Sequence, residues 1–440
     1  MMDLTDKKIT ILGGQRSGMA LARLVIRLKA RAKISEQRSV DSLPREFRDW
    51  ALQNHVDLEF NGHTPGFVKD SDLLVLSPGV SIHSVPVQWA RSRNIPVLGE
   101  IEFAAQFCSK PIIAVTGSNG KTTVVTLISE VLTHAGYKAC LCGNVGYPFS
   151  EYVLDLADQD YVVLEVSSFQ MESLLDPSSE FRKSSANGGM QFKGFKPYVA
   201  VILNFSQNHL DRHQDLQEYL EAKKRIFINQ DDQDYAILNA SDPYLKDLPS
   251  QLKACVSHFD PRQISPDGRR VNPNFLVVTE VARILGIDCG ICEEVFQRFK
   301  GVEHRLEWVR RLNGVDFIND YTATTAQAAI WALESLESPV LMICGGKDKN
   351  IDFSVVTDLA RQKVKKMFVI GEAKKKLAQT FDGVIAVEEC DTLENAVRRA
   401  RGNAGQGDCV LLSPMCASFD MFCDYEQRGR VFKEIVNKLV

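Results

Sequence analysis

Residues 113–132 read IAVTGSNGKTTVVTLISEVL, and three patterns in this stretch decide the fold around it. A short apolar run meets a turn that contains Gly117 and Gly120, and an apolar-periodic segment begins after Lys121. The run predicts a buried strand, and the 3.6-residue spacing that follows predicts a helix. The turn therefore joins a strand to a helix N-terminus, where backbone N–H groups can face an anion.

The turn has the composition of a phosphate-binding loop. Its glycines let backbone N–H groups turn inward, the helix N-terminus adds partial positive charge, and Lys121 can reach terminal phosphates. Thr122 is placed to ligate Mg²⁺. The motif is a variant of G-x-x-x-x-G-K-[ST], because Val115 holds the first glycine position. The alternative is a glycine-lined turn with a surface lysine. The predicted ATP-binding residues of the loop are Gly117, Ser118, Asn119, Gly120, Lys121, Thr122 and Thr123.

The order of strand, glycine turn and helix occurs three times along the chain, from residues 7, 111 and 339. Further apolar runs, such as YVVLEVSS and CVLLSP, are continuous rather than alternating, which is typical of strands buried on both faces. The pattern predicts an α/β protein with mainly parallel sheets. We place domain boundaries near residues 98 and 302, and expect an Asn313-Gly314 hairpin turn just after the second boundary.

Composition excludes several classes of protein. The 440 residues carry a net charge of -4, without the clustered basic excess of a nucleic-acid-binding protein. The N-terminus has no signal-peptide pattern, and no window of about 18 apolar residues predicts a membrane span. The 11 cysteines lack the spacing of a disulfide framework, which favours a reducing cytoplasmic location. The polar, aperiodic residues 177–196 predict a long surface loop or a disordered insertion.

Polar residues follow two other predicted strands. Glu165 stands at the carboxyl end of YVVLE, where α/β sheets bind ligands, and is a natural Mg²⁺ ligand beside a phosphate loop. His209 follows the strand VAVILN together with Asn208 and Asp211. A basic helical segment with Lys223 and Lys224 comes next, and one or two of its basic residues are expected to face the site.

The first glycine turn is weaker as a motif. Gln15 breaks the G-x-G-x-x-G pattern, although Glu36 ends the next predicted strand, where an acidic residue often contacts a ribose. A dinucleotide site and a nucleotide-diphosphate substrate site both remain open, and the rest of the chain favours the second.

Eight ordered blocks spanning nearly the whole chain resemble the Mur ligase family. They are TGSNGKTT, LEVSSFQME, NFSQNHLDRH, EAKKRIF, EHRLEWV, FINDYTATT, GGKDKNIDF and LLSPMCASFDMFCDYEQRG. The last block is most similar to the branch of the family that adds D-glutamate. The resemblance implies a Rossmann-like UDP-substrate domain (1–98), a central P-loop ATPase domain (99–302) and a Rossmann-like C-terminal amino-acid domain (303–440).

The resemblance also implies ligands and roles. The substrates would be ATP, UDP-N-acetylmuramoyl-L-alanine and D-glutamate, handled by a monomer with Mg²⁺. Lys121, Glu165, His209 and Lys223 would be catalytic, with Thr122, Glu165, His209 and a carbamylated Lys223 as the metal ligands. Further ATP contacts would be Asn274, His304, Arg305 and Asp320. The UDP-substrate contacts would be Ser17, Glu36, Arg38, Gly79, Asn144 and His209. The D-glutamate contacts would be Thr324, Lys349, Ser418, Phe419 and Tyr425.

The chain departs from the family pattern at three places. Thr322 replaces a lysine of the N-D-S-K-A-T-N block, which removes a positive charge from an anion site. The segment 255–274 is short, and Arg270 and Val271 replace a histidine and an asparagine of its G-x-H-N-x-x-N block. The stretch 177–196 is inserted soon after Glu165.

Two alternatives to the D-glutamate-adding ligase remain. Thr322 keeps open another ATP-dependent amino-acid ligase of this fold, of the Mur or folylpolyglutamate type. A non-catalytic nucleotide-binding protein is the other, and the presence of Lys121, Glu165, His209 and Lys223 disfavours it.

Overall fold

The computed structural model describes residues 2–179, 190–205, 215–264, 271–299, 306–336, 338–348 and 351–440. The chain divides into two compact units, Met1–Gln297 and Arg298–Val440. The first unit contains two parallel sheets and the second contains one mixed sheet. The predicted α/β class with three sheet-based domains is therefore confirmed, whereas the boundaries near 98 and 302 stay predictions.

The N-terminal sheet has the strand order β3-β2-β1-β4-β5, and all its pairs are parallel. Its strands are β1 (Lys8–Leu12), β2 (Arg31–Ser35), β3 (Asp57–Glu59), β4 (Leu73–Leu76) and β5 (Val97–Gly99). Its helices are α1 (Arg16–Arg27), α2 (Arg45–Gln53), α3 (Pro65–Lys69) and α4 (Val85–Arg91). Parallel register brings Ser35 opposite Glu59, so β2 and β3 end at the same sheet edge.

The central sheet is also parallel, with the order β11-β10-β9-β6-β8-β7. Its strands are β6 (Ile112–Thr116), β7 (Ala139–Gly143), β8 (Tyr161–Glu165), β9 (Val199–Ile202), β10 (Tyr235–Asn239) and β11 (Cys255–Phe259). The helices are α5 (Glu100–Ala105), α6 (Lys121–His134), α7 (Phe149–Tyr152), α8 (Ser168–Met171), α9 (Leu216–Lys224), α10 (Pro273–Ile284) and α11 (Cys289–Arg298). β6 lies between β8 and β9 and is fully buried, which puts the phosphate loop among the carboxyl ends of these strands.

The second unit is built on the order β12-β13-β17-β14-β15-β16. Its strands are β12 (Glu307–Leu312), β13 (Val315–Asn319), β14 (Val340–Gly345), β15 (Val364–Ile370), β16 (Ala386–Glu389) and β17 (Cys409–Leu412). The helices are α12 (Ala326–Glu334), α13 (Thr357–Lys363), α14 (Lys374–Phe381), α15 (Leu393–Asn403) and α16 (Tyr425–Lys438). β12 and β13 pair antiparallel and form the predicted hairpin. Asn313 and Gly314 at its turn both have positive φ, as a type I′ turn requires.

The stretch 177–196 is not all surface loop. Residues 180–189 lie outside the described chain, and the residues described on either side form neither helix nor strand. Phe192 and Phe195 are nevertheless buried, and the Phe195 N–H donates to the buried Glu102 carboxylate. The prediction of a surface loop or disordered insertion is therefore wrong for Phe192 and Phe195, because both side chains pack in the core, whereas Lys193 between them is exposed.

All eleven cysteines are free thiols. Within the described ranges, no helix combines the length and apolar character needed to cross a membrane.

Candidate active site

The phosphate loop leaves β6 at Thr116 and enters α6 at Lys121. Gly120 has φ +85°, a left-handed conformation that favours glycine. A Cβ added there would lie 2.9 Å from Asn274 Oδ1, so a residue with a side chain would also be too close to Asn274. The Asn274 amide nitrogen is buried and has no hydrogen-bond partner among the described residues. Its position beside the loop suits the predicted nucleotide contact.

Asn204, which follows β9, holds the loop in shape. Its side-chain oxygen accepts from the Asn119 N–H at 2.9 Å, its amide donates to the Asn119 carbonyl at 3.1 Å, and its backbone carbonyl accepts from the Ser118 N–H at 3.0 Å. This role of Asn204 was not predicted from the sequence. The available signal was an asparagine directly after a buried strand that neighbours the loop strand.

Lys121 and Thr122 open α6 on the ligand side of the sheet. The Lys121 ammonium donates to the carbonyls of Gly117 at 2.9 Å and Ser118 at 3.2 Å. The Thr122 hydroxyl donates to Glu165 Oε2 at 2.7 Å, and the Asn144 amide donates to Glu165 Oε1 at 2.8 Å. Glu165 therefore joins the phosphate loop to the loop after β7.

Lys223, on the last turn of α9, lies behind the phosphate loop. Its side chain is 1% exposed, and its amine donates to the Gly117 carbonyl at 3.0 Å. Burial, reinforced by the positive charge of Lys121, holds the pKa of Lys223 well below its ordinary 10.5. The adjacent Lys224 instead forms an ion pair with Glu221 at 2.8 Å. Lys223 therefore lies at the phosphate loop and Lys224 does not, and the resemblance likewise assigns a role to Lys223 alone.

Tyr219 contacts both Lys223 and the phosphate loop, a role that was not predicted from the sequence. Its ring centroid lies 4.6 Å from the Lys223 amine, and its hydroxyl is 3.3 Å from Ser118 Oγ. Burial raises the pKa of Tyr219 to about 12, so the phenol stays neutral. Its position four residues before Lys223 in the same helix was the available signal.

The residues around Glu165 suit Mg²⁺. A carboxylate oxygen and the Thr122 hydroxyl meet at 2.7 Å, and Mg²⁺ prefers hard oxygen ligands completed by waters and phosphates. Lys223 lacks an anionic oxygen unless its amine is carbamylated. No cluster of three or more His, Cys, Asp or Glu side chains suited to a metal occurs in the described part of the chain, and His209 lies outside that part.

A cavity of about 480 Å³ opens beside this centre within the first unit. It is lined by the first glycine turn, the ends of β2 and β4, and the loop after β7. Five predicted UDP-substrate residues are among its lining residues: Ser17, Glu36, Arg38, Gly79 and Asn144. Since Asn144 also donates to Glu165, one end of the cavity lies at the phosphate loop.

Glu36 contributes to this cavity mainly by shaping it. One carboxylate oxygen accepts from the Gly14 N–H at 2.6 Å and the other from the Arg38 N–H at 3.0 Å. The side chain is 3% exposed. Glu36 therefore fixes the turn and the chain after β2, and its oxygens are largely committed to backbone donors.

The second unit gathers several of the predicted amino-acid and nucleotide residues near the ends of β13 and β17. The Ser413 hydroxyl donates to Asp320 at 3.3 Å, and the Ser418 hydroxyl oxygen is buried without a partner among the described residues. Tyr425 stacks on Tyr321 with ring centroids 5.8 Å apart. Thr324 is half-buried and Phe419 is exposed.

Arg428 holds this region together, a role that was not predicted from the sequence. It is 1% exposed, and its guanidinium donates to the Cys416 and Tyr321 carbonyls at 3.1 and 3.0 Å. Burial lowers its pKa to about 10, so it remains a cation at neutral pH. The arginine of the YEQRG block was the available signal, and it ties the Ser418 loop to the Tyr321 loop.

Four predicted site residues lie outside the described residues: His209, His304, Arg305 and Lys349. Their roles stay predictions.

A phosphate loop on a parallel sheet, with a carboxylate and a buried lysine beside it, defines a nucleotide-binding α/β protein. Comparison with known families matches residues 115–261 to the Mur ligase middle domain, and residues 304–416 to the Mur ligase, glutamate ligase domain. The chain belongs to the Mur ligase family.

Full-length relatives agree with this assignment, and solved structures share the fold. The chain is 37% identical to a UDP-N-acetylmuramoylalanine–D-glutamate ligase from Caldicellulosiruptor saccharolyticus, with all of both chains covered. A ligase of the same name from Koribacter versatilis is 37% identical over 100% of this chain and 99% of its own. The MurF ligase from Thermotoga maritima in complex with ADP shares the fold, at a TM-score of 0.57 and 15% identity, with both chains fully covered. The MurC ligase of the same organism has a TM-score of 0.56 at 18% identity, covering 98% of this chain and 99% of its own.

Proposed function

We propose that this chain is an ATP-dependent ligase that joins D-glutamate to UDP-N-acetylmuramoyl-L-alanine. The observation that carries the proposal is the bridge between the cavity and the phosphate loop. Asn144 lines the cavity and donates to Glu165 at 2.8 Å, while Glu165 accepts from Thr122 of the loop at 2.7 Å. A nucleotide-linked substrate in the cavity would bring its carboxylate to the terminal phosphate of ATP on the loop.

In the first step, a carboxylate oxygen attacks the γ-phosphorus of ATP, ADP leaves, and an acyl phosphate forms. Both reactants are anionic, so the step depends on positive charge and on positioning. Lys121 and the loop N–H groups would orient the γ-phosphate, and Asn144 would orient the substrate. Glu165, Thr122, His209 and a carbamylated Lys223 would hold Mg²⁺, which supplies charge neutralisation when bound.

The environment of Lys223 supports the proposed carbamylation. The neutral amine attacks the carbon of CO₂ and releases one proton, which converts the side chain into an anionic oxygen ligand. A lysine with an ordinary pKa is almost entirely protonated at neutral pH and is a poor nucleophile. The buried amine, beside the Lys121 charge, has a much larger neutral fraction. This explains how a lysine can serve at a cation site.

In the second step, the D-glutamate amine attacks the activated carbonyl and phosphate leaves from a tetrahedral intermediate. We assign the amino acid to the second unit, where Thr324, Lys349, Ser418, Phe419 and Tyr425 would contact it. The Ser418 hydroxyl oxygen is buried and has no hydrogen-bond partner among the described residues, and this observation supports a ligand there.

The decisive assay measures phosphate release with Mg·ATP and UDP-N-acetylmuramoyl-L-alanine across D-Glu, L-Glu, D-Asp, L-Lys and meso-diaminopimelate. We expect release with D-Glu alone. A Thr322→Lys variant restores the family charge and is expected to lower the KM for D-Glu. Release with a different amino acid would favour the second candidate, a ligase of this fold with another specificity, which the exposed Thr322 keeps open. Absence of release with all five would contradict the D-glutamate ligase, and would leave a ligase that uses a different carboxyl substrate or a protein of this fold that no longer ligates.

We also propose that the protein acts as a monomer in the cytoplasm; its eleven free thiols support a reducing compartment. Size-exclusion chromatography with light scattering tests the first statement.

A further inference from the structure

We infer that His63 is a specificity-determining residue of the nucleotide cavity, whose Nε2 atom accepts a hydrogen bond from the imide N3–H of uracil. The inference rests on the proposed function, because it concerns the nucleotide part of the same substrate. His63 lines the cavity and stands four residues after the end of β3.

A chain of hydrogen bonds determines which nitrogen of His63 carries the proton. Glu59 Oε2 accepts from the Ser35 hydroxyl at 2.5 Å, and Glu59 Oε1 accepts from the hydroxyl and the N–H of Thr64. The single Ser35 hydroxyl proton is thus directed at the carboxylate. Ser35 Oγ lies 2.7 Å from His63 Nδ1 and can only accept there, so Nδ1 must carry a proton.

The other ring nitrogen then presents a lone pair to the cavity. In a neutral imidazole with Nδ1 protonated, Nε2 is a hydrogen-bond acceptor. The structure gives Nε2 no partner among the described residues, and desolvation by burial lowers the pKa of His63, which favours the neutral ring. The buried Ser35, which is 0% exposed, keeps the Nδ1 edge inward.

The position of His63 matches the nucleobase rather than the reacting end of the substrate. Asn144 and Glu165 mark the end of the cavity where the carboxylate must react. His63 lies in the loop that follows β3, the edge strand of the N-terminal sheet, beyond β2 in the order β3-β2-β1-β4-β5. Uracil carries a donor at N3, whereas cytosine carries a lone pair at N3, which would face the lone pair of Nε2. An acceptor at this position therefore selects uracil over cytosine.

Isothermal titration of the full chain with UDP and with CDP tests the inference. We expect the wild-type protein to prefer UDP by roughly tenfold or more, the size of one net hydrogen bond. His63→Leu should bring the ratio of the two affinities close to one. His63→Gln, which restores a side-chain oxygen acceptor, should recover part of the preference. His83→Leu, at an exposed histidine of the same sheet domain, should leave the ratio unchanged.

A second measurement does not depend on how a variant folds. Nitrogen-15 NMR of the His63 ring in the wild-type protein should show a proton on Nδ1 and none on Nε2, with the Nε2 resonance shifting when UDP binds. A protonated Nε2 in the UDP complex would overturn the inference, as would an unchanged UDP-to-CDP ratio in a folded His63→Leu variant that still binds UDP. Failure of the wild-type protein to bind UDP would instead overturn the assignment of the whole cavity, and His63 with it.

Discussion

At the scale of single residues, the chemistry depends on where two neighbouring lysines point. Lys223 turns inward under the phosphate loop, while Lys224 turns outward to Glu221. Helical periodicity alone predicted that one or two basic residues of this segment face the site, because the phase of a helix becomes known only when its packing partner is known. The family resemblance chose Lys223, and its burial agrees with that choice.

Replacing Lys223 by alanine tests the proposed carbamate. We expect phosphate release to fall by roughly 10²–10³-fold, the range for losing one electrostatic stabiliser of a transition state. Added acetate or formate should restore part of the activity, because a small carboxylate can occupy the space of the carbamate. Lys224→Ala is the matched control and should retain near wild-type turnover. Full activity of a folded Lys223→Ala protein, without any added acid, would count against the carbamate.

At the scale of elements, the β6–α6 turn is the part of the molecule that the sequence predicted best. Two glycines, a lysine and the change from strand to helix periodicity are all local signals. Asn204, Asn274 and Tyr219 complete the turn from distant parts of the chain, so no local pattern could reveal them.

Gly120→Ala tests whether the shape of the turn matters beyond backbone strain. Gly136, at the other end of α6, has nearly the same conformation, φ +87° against +85°, but open space around its Cβ position. Each alanine should destabilise the protein by about 1–2 kcal/mol, the cost of a left-handed backbone for a residue with a Cβ. Only Gly120→Ala should also weaken ATP binding, because its methyl group meets Asn274. Equal ATP affinity in the two variants, measured by titration calorimetry, would refute the steric argument.

Glu100, the first residue of α5, is expected to make the stability of the folded protein depend on pH. Glu100 is 2% exposed, one of its oxygens accepts from the Ser150 N–H at 2.8 Å, and the other has no partner among the described residues. Burial raises the pKa of Glu100 above its ordinary 4.5. The folded protein thus binds this proton more tightly than the unfolded chain, and the associated stability is lost as the pH rises through the folded-state pKa.

A Glu100→Gln variant should reveal this linkage. Because glutamine does not ionise, the stability of the wild-type protein relative to the variant, measured by urea denaturation, should decrease as the pH rises above 4.5, the ordinary pKa of glutamate. Glu46→Gln, at an exposed glutamate, is the control and should show a difference that does not change with pH. A wild-type advantage that grew with pH would contradict the raised pKa.

At the scale of the whole molecule, the chain comprises two compact units, and we propose that their candidate sites bind different substrates. The three-sheet α/β architecture was predictable because continuous apolar strands and glycine turns repeat along the sequence. The hydrogen-bonded chain from Glu59 through Ser35 to His63 was not predictable, because it depends on the register of β2 against β3. The hydrogen bond from Arg428 to the Tyr321 carbonyl was also not predictable from the sequence, because it joins residues more than a hundred positions apart.

We propose that the two units act in one reaction that passes through an acyl phosphate. The most direct test uses UDP-N-acetylmuramoyl-L-alanine labelled with ¹⁸O in its carboxylate, together with Mg·ATP and D-glutamate. If the carboxylate oxygen attacks the γ-phosphorus and the amine later displaces phosphate, one labelled oxygen must leave with each phosphate. Mass spectrometry should therefore find one ¹⁸O atom in the released phosphate and one in the new amide. Phosphate that carries no ¹⁸O while the amide product forms would contradict the account.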